Sequence, residues 1–179
     1  MLLARHLLSG AIAVVAASAV TALPAEATVQ QPAAHTAVAG PAVCVDANGT
    51  RTNGTPVHLW QCFAGNTNQK FVIDDGMIKV KDTLGSATPM CVDANSTRTN
   101  GTRVHLWECF AGNTNQKFVI DDGMIKVKDT LGSATPMCVD ANGARTNGTP
   151  VHLWECANTN TNQKFVVDDG MIKVKDTLA

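Results

Sequence analysis

A segment of 47 residues recurs along the chain and limits the possible folds more than any other feature. The pentapeptide Cys-Val-Asp-Ala-Asn begins at residues 44, 91 and 138. The first two units, 44–90 and 91–137, differ at three positions, and the third, 138–179, differs mainly at Ala157-Asn158-Thr159 and stops early. Because one repeat of this size rarely buries its own apolar face, we expect the three units to share one core.

The residue pattern within each unit predicts short strands and indicates no helix. In the first unit the four predicted strands span residues 43–47, 57–62, 70–73 and 77–81. The pairs Asn53-Gly54 and Asp75-Gly76 are signals for two-residue hairpins, because these residue types tolerate positive φ. Twelve strands in three repeats favour an all-β, closed three-fold barrel, since three blades are too few for most propellers.

The repeats are predicted to be permuted, so that the first unit lacks a strand before its first cysteine. Residues 35–43 align weakly with 82–90, whereas 29–34 do not match the Gly-Met-Ile-Lys-Val-Lys strand, and Pro32 argues against a strand there. We therefore predict that the final strand, 171–175, closes the ring beside the first unit. Residues 28–42 are predicted to form an Ala/Pro-rich lead-in to one domain over 43–179.

Residues 1–27 have the pattern of a secretory signal peptide. Arg5 and His6 form a short polar region, an apolar Ala-rich run follows, and Ala25-Glu26-Ala27 fits the cleavage pattern. An uncleaved membrane anchor is the alternative, because the run is marginally long enough to span a bilayer. We expect cleavage before Thr28 and a secreted, extracellular protein with no membrane insertion.

The charge and the cysteine spacing restrict the classes of partner. The net charge is −1 and 16% of residues are charged, so no basic excess attracts nucleic acid or an anionic membrane. Export permits disulfides among the six cysteines. Zinc sites usually contain close cysteine pairs, whereas the nearest cysteines here are 18 residues apart, so we expect neither a metal nor a cofactor.

Strand alternation predicts a polar cluster on one side of each unit. In the second strand His58, Trp60 and Cys62 share a face, opposite two apolar residues. If Cys44 pairs with Cys62, then Asp46 joins His58 and Trp60 on that side. Tryptophan stacks on the apolar face of a pyranose, and a carboxylate accepts hydrogen bonds from sugar hydroxyls, so the cluster has the chemistry of a sugar site.

Other interpretations of these residues exist. Asp46 begins an Asp-x-Asn-Gly sequence, which is good turn chemistry, so it can serve only to cap a turn. A tryptophan on a strand is more often a core residue. Asp74-Asp75 suggests a glycosidase carboxylate pair, but adjacent strand-end residues point to opposite faces, and Asp75-Gly76 is explained as a turn. We expect no enzymatic activity.

The sequence CVDANGTRTNGTPVHLWQCFAGNTNQKF resembles the ricin-type β-trefoil lectin family. The resemblance extends over roughly residues 43–179 and all three units. It implies a β-trefoil with pseudo-three-fold symmetry, sugar-hydroxyl binding by Asp46, stacking on Trp60, hydroxyl contacts from Asn68, and a bracing role for Gln69. It also implies one disulfide inside each unit, which pairs Cys44 with Cys62, Cys91 with Cys109, and Cys138 with Cys156.

Two features depart from the family pattern. His58 stands where galactose-binding members commonly have Gln, and the usual Gln-x-Trp ending is Gln-x-Phe. That aromatic is a core residue in the family, so the change to Phe is expected to affect packing and not binding. It occurs at Phe71, Phe118 and Phe165.

The resemblance and the residues together predict a multivalent lectin for galactose-type glycans or plant-wall polysaccharide. The alternative is a trefoil that binds proteins or acts as an inhibitor. The predicted carbohydrate-binding residues are Asp46, His58, Trp60, Asn68 and Gln69; Asp93, His105, Trp107, Asn115 and Gln116; and Asp140, His152, Trp154, Asn162 and Gln163.

Overall fold

The computed structural model describes residues 40–178, which form twelve strands in three repeats. The strands of the first repeat are β1 (Val43–Asp46), β2 (His58–Gln61), β3 (Phe71–Asp74) and β4 (Met77–Val80). Those of the second are β5 (Met90–Asp93), β6 (His105–Glu108), β7 (Phe118–Asp121) and β8 (Met124–Val127). Those of the third are β9 (Met137–Asp140), β10 (His152–Glu155), β11 (Phe165–Asp168) and β12 (Met171–Val174).

The four strands predicted for the first repeat are confirmed to within one residue at each end. Each repeat also contains two single-turn 3₁₀ segments, and residues 40–178 contain no α-helix. No helix in this part of the chain is long and apolar enough to cross a membrane. The predicted signal peptide and nearly all of the predicted lead-in lie outside the described residues.

The two predicted hairpin turns have different outcomes. Asp75 and Gly76 join β3 to β4 with φ of 49° and 71°, so the hairpin prediction is confirmed there. The prediction is wrong for Asn53-Gly54, which forms a turn inside the long connection from β1 to β2. Only Gly54 has positive φ there, and its N–H donates to the carbonyl of Leu106 in the next repeat, so this segment pairs with a neighbouring repeat.

The strands form three four-stranded antiparallel sheets, and each sheet joins two consecutive repeats. Their orders are β3-β4-β5-β6, β7-β8-β9-β10 and β11-β12-β1-β2. In the third sheet, Lys173 of β12 lies opposite Cys44 of β1. Gly170, in the turn before β12, also accepts a hydrogen bond at its carbonyl from the N–H of Phe71, at the start of β3. The prediction that the C-terminal strand closes the ring beside the first repeat is confirmed.

The three repeats meet around a pseudo-three-fold axis. Val57 N donates to Val104 O, Val104 N to Val151 O, and Val151 N to Val57 O, each over 3.1 Å. Leu59 and its equivalents are fully buried around this ring, and the three phenylalanines of the Gln-x-Phe endings are buried as predicted. A core shared equally among three four-stranded repeats is the architecture of a β-trefoil.

The cysteines pair within repeats, as the resemblance implied. The three disulfides are Cys44–Cys62, Cys91–Cys109 and Cys138–Cys156. Each one connects the first strand of its repeat to the end of the second, so it holds the base of the polar cluster together.

Candidate functional site

The pairing of β1 with β2 brings the predicted polar cluster together. Asp46 lies directly opposite His58, and Cys44 lies opposite Trp60. The His58 and Trp60 rings are 5.6 Å apart and tilted by 55°. Asp46 is buried at the base of the cluster, whereas Trp60 is 43% exposed at its edge. Alternation along paired strands therefore places a carboxylate and an exposed aromatic surface side by side.

The carboxylate of Asp46 is held by several N–H donors. Its Oδ2 accepts hydrogen bonds from Nδ2 of Asn66 at 3.0 Å and from Nε2 of Gln69 at 3.2 Å. Its Oδ1 accepts from the backbone N–H of Asn48 at 2.8 Å and lies 3.5 Å from Nε2 of His58. Since a carboxylate has about four acceptor positions, the fixed group keeps capacity to accept a ligand hydroxyl.

Asp46 also performs the turn-capping function that the sequence offered as an alternative. Asn48, whose N–H donates to Asp46, has φ of 65°, and its own side chain accepts from the N–H of Gly49. The two functions are compatible, because the turn uses one lone pair of one carboxylate oxygen.

Gln69 does not reach the cavity surface and lies behind Asp46, fully buried. Besides its bond to Asp46, Nε2 donates to the carbonyl of Gln61 at 2.9 Å, and Oε1 accepts from the N–H of Phe63 at 2.8 Å. The 3₁₀ turn Thr67–Gln69 points this side chain inward, and the Asn66 side chain caps the turn by accepting from the N–H of Asn68.

Arg51 orients Asn68, a contact that the sequence did not predict. Nη2 of Arg51 donates to Oδ1 of Asn68 at 2.7 Å, and the guanidinium also forms a two-point contact with Asp82 at 3.1 and 2.9 Å. The hydrogen bond from Arg51 holds the pKa of Asp82 below its usual value of 3.8. With Oδ1 occupied, Asn68 is left with its Nδ2 amide to donate to a ligand.

These side chains surround a cavity of about 190 Å³ in the first repeat and about 180 Å³ in the second. Four of the five predicted residues line the first cavity, namely Asp46, His58, Trp60 and Asn68. Three lining residues were not predicted, and they are Asn48, Gly49 and Asn66. Asn66 and Arg51 recur at equivalent positions of every repeat, which was the only signal available in the sequence.

The same contacts recur in the second and third repeats. Gln116 and Gln163 donate to Oδ2 of Asp93 and Asp140 at 3.2 Å, as Gln69 does to Asp46. The equivalent arginines contact Asn115 and Asn162 at 2.7 Å. The third cluster is the more buried one: His152 is 8% exposed and Asn162 is fully buried, while Trp154 is half-buried.

The cavity combines an anionic acceptor, amide donors and an aromatic face. All six cysteines are in disulfides, so no thiol is available as a nucleophile. Residues 40–178 contain no group of three or more His, Cys, Asp or Glu side chains arranged to hold a metal ion. The chemistry present is that of hydrogen bonding to hydroxyls and stacking on an apolar ring face.

Two solved structures match this chain at low sequence identity. The β-trefoil lectin of the Vibrio vulnificus hemolysin/cytolysin, solved with N-acetyl-D-lactosamine bound, is 18% identical over 72% of this chain and 87% of its own, with a TM-score of 0.49. A non-toxic homologue of type II RIPs from Momordica charantia (bitter gourd), in complex with α-methyl-D-galactoside, is also 18% identical, with a TM-score of 0.52. That alignment covers 69% of this chain and 45% of the bitter gourd protein.

Sequence comparison gives the family. No protein of curated function matches the chain significantly. Residues 34–165, about three quarters of the chain, match the sequence profile of the ricin-type beta-trefoil lectin domain. The chain therefore belongs to the ricin-type β-trefoil lectin domain family.

Proposed function

We propose that this protein is a secreted lectin that binds carbohydrate at the Asp–Trp cluster of each repeat. The observation that carries the proposal is the position of exposed Trp60 beside buried Asp46 in one polar cavity. An exposed tryptophan loses the stabilisation that burial provides, whereas one stacked on a pyranose ring buries large area at little entropic cost.

The polar groups of the cavity complement sugar hydroxyls. Asp46 supplies an acceptor, since a fixed carboxylate forms the stronger, charge-assisted kind of hydrogen bond. Asn68 supplies a donor, because Arg51 occupies its carbonyl oxygen. His58 lies between the carboxylate and the indole and lines the same cavity. Gln69 acts from behind by fixing the orientation of Asp46.

The sugar class is proposed as galactose-type glycans or plant-wall polysaccharide. The bitter gourd homologue was solved with a galactoside, so galactosides are the first sugars to test. Xylan-type polysaccharide is the second class, because stacking and hydroxyl contacts suit either ring. Three sites on one rigid body would raise the apparent affinity for a multivalent glycan by about 10²–10⁴ where the geometry permits simultaneous binding.

Secretion is supported by two features. Residues 1–27 have the composition and cleavage pattern of a signal peptide, which predicts a mature chain from Thr28. Three disulfides fit an oxidising, extracellular environment.

Chromatography on immobilised galactoside and on immobilised xylan tests this function. We expect retention of the protein, elution by free sugar, and loss of retention in the triple variant Trp60→Ala, Trp107→Ala, Trp154→Ala. The matched control replaces three other exposed apolar strand residues, Ile73→Ala, Ile120→Ala and Val167→Ala, and is expected to keep its retention.

Each contrary outcome has a defined meaning. Full retention of the folded tryptophan variant would overturn the site assignment. Absence of binding to every sugar on a broad glycan array, together with stable capture of one protein partner, would overturn the lectin proposal and favour a protein-binding trefoil.

A further inference from the structure

A second cleft lies beside the Asp–Trp cavity of each of the first two repeats. In the first repeat it has a volume of about 330 Å³ and is lined by Trp60, Gln61, Cys62, Phe63 and Asn66. In the second repeat the equivalent cleft is about 550 Å³. Trp60 and Asn66 line both the Asp–Trp cavity and the second cleft, so the two spaces are adjacent and share a wall.

The outer wall of the second cleft is an exposed phenylalanine. Phe63 and Phe110 are each 68% exposed, which makes them the most exposed large apolar side chains among residues 40–178. A single exposed apolar residue needs no explanation, but two at equivalent positions beside a binding cavity form a repeated feature.

A hydrogen bond fixes the backbone of Phe63, and a nearby glycine leaves room for its ring. Its N–H donates to Oε1 of Gln69, the same side chain that fixes Asp46. A Cβ at Gly65 would lie 3.2 Å from the Phe63 ring, so glycine at this position allows the ring to lie against the chain. Gly112 has the same relation to the Phe110 ring, at 3.1 Å.

The third repeat lacks both parts of this arrangement. Ala157 replaces the phenylalanine and Thr159 replaces the glycine, although the Ala157 N–H still donates to Gln163. The ring and the glycine that accommodates it are therefore lost together, while the contacts that hold the Asp cluster are retained. The contacts of the Asp cluster therefore do not require the phenylalanine ring.

We propose that the second cleft binds the next sugar unit of an oligosaccharide whose terminal unit occupies the Asp–Trp cavity, in the first and second repeats only. This inference rests on the proposed lectin function. The shared Trp60 wall sets the two units side by side, Phe63 packs on the apolar face of the second ring, and Gln61 at the rim offers a polar contact to its hydroxyls. The second repeat has Glu108 at the position of Gln61.

The occupant is a sugar because the second cleft adjoins the Asp–Trp cavity, shares Trp60 and Asn66 with it, and has both polar and apolar walls. The two kinds of site then differ in specificity. The third repeat recognises a single terminal unit, and the first two discriminate between a monosaccharide and a longer chain.

The test compares the affinity of a monosaccharide with that of a short oligosaccharide, in a Trp154→Ala background that silences the third repeat. The probes are galactose with lactose, and xylose with xylotriose, measured by calorimetry. Phe63→Ala with Phe110→Ala is expected to lower the oligosaccharide-to-monosaccharide affinity ratio about two- to tenfold, the range that one aromatic contact provides.

A second variant distinguishes loss of the phenylalanine ring from a folding defect caused by the substitution. It replaces Phe63-Ala64-Gly65 and Phe110-Ala111-Gly112 by the third repeat's Ala-Asn-Thr, a sequence that the same loop already accommodates. Ile73→Ala with Ile120→Ala is the control, since these side chains are 40% exposed and line neither the Asp–Trp cavity nor the second cleft of their repeats.

The outcomes separate this inference from the proposed function. An unchanged affinity ratio in both loop variants, with sugar binding intact, would overturn the inference alone. Capture of a protein partner that depends on Phe63 and Phe110, with an unchanged ratio, would overturn it in favour of a protein contact. Absence of any sugar binding by the unsubstituted protein would overturn the proposed function and this inference with it.

Discussion

Gln69 donates a hydrogen bond from Nε2 to Oδ2 of Asp46 over 3.2 Å, and it is fully buried. The same amide contacts the backbone of Gln61 and Phe63, on either side of the disulfide cysteine Cys62. One buried side chain therefore fixes the carboxylate relative to the second strand and the loop that follows it.

Gln69→Glu is expected to destabilise the protein. The substitution replaces a donor with a second carboxylate 3.2 Å from Asp46 and leaves the Gln61 carbonyl without its partner. A buried polar group left unpaired costs about 1–3 kcal/mol, and a charged one costs more. Urea denaturation measures the loss. Gln61→Glu is the control, because Glu occupies the equivalent exposed positions 108 and 155, and equal midpoints for the two variants would contradict the account.

Removal of one disulfide tests how much the cross-link between the first two strands of a repeat stabilises the fold. Replacing Cys44 and Cys62 by serine opens a loop with a sequence separation of 18, which costs about 3 kcal/mol in the chain-entropy estimate. Because the loops are equal in length, the equivalent pair in the second repeat is expected to give the same loss of unfolding free energy. A strongly different loss of unfolding free energy in the two repeats would contradict the chain-entropy explanation and would show that local strain or packing determines what each disulfide contributes.

Stability at low pH tests the Arg51–Asp82 contact. The hydrogen bond from Arg51 lowers the pKa of Asp82 in the folded protein below its ordinary 3.8, and partial burial opposes the shift. A carboxyl with a depressed folded pKa contributes stability above its unfolded pKa and loses it as the pH falls through the folded pKa. The same holds for Asp129 with Arg98.

The expected result is a smaller acid-induced loss of stability in Asp82→Asn with Asp129→Asn than in the unsubstituted protein. Urea midpoints measured from about pH 6 to about pH 2.5 cover the window below the ordinary pKa. Other carboxylates titrate in both proteins and cancel in the comparison. If the urea midpoints of the two proteins fell in parallel over that pH range, the stabilising role of the Arg51–Asp82 and Arg98–Asp129 contacts would be contradicted.

Deletion of residues 170–179 tests closure of the barrel. The deleted segment contains β12, which pairs with β1, and Thr177, whose hydroxyl accepts from the N–H of Val43. Hydrogen exchange is expected to lose more protection in β1 than in β5, which keeps its β4 neighbour. Equal protection of β1 and β5 would contradict closure by the C-terminal strand.

Much of the site could be predicted because period-two alternation and strand pairing are local rules. Asp46, His58 and Trp60 lie on neighbouring strands, so alternation and one disulfide suffice to bring them together. The strand limits and the closing role of β12 followed from the turn residues and the repeat period.

The missed features depend on contacts between distant segments. Arg51 reaches Asp82, 31 residues away, and the Asn53-Gly54 turn pairs with the next repeat instead of closing a hairpin. Asn66, which caps the 3₁₀ turn Thr67–Gln69, donates to Asp46 from 20 residues away. Spacing along one chain gives no information about such partners, since each is set by the packing of the completed barrel.

Stacking of sugar on the tryptophans can be observed directly through the indole N–H signals of Trp60, Trp107 and Trp154, the chain's three tryptophans. Nuclear magnetic resonance follows these signals as a galactoside or a xylo-oligosaccharide is added. We expect saturable shifts of the indole signals, with midpoints that match the affinity from calorimetry, because the sugar stacks on the rings. Sugar binding by calorimetry with no change in any indole signal would contradict the account.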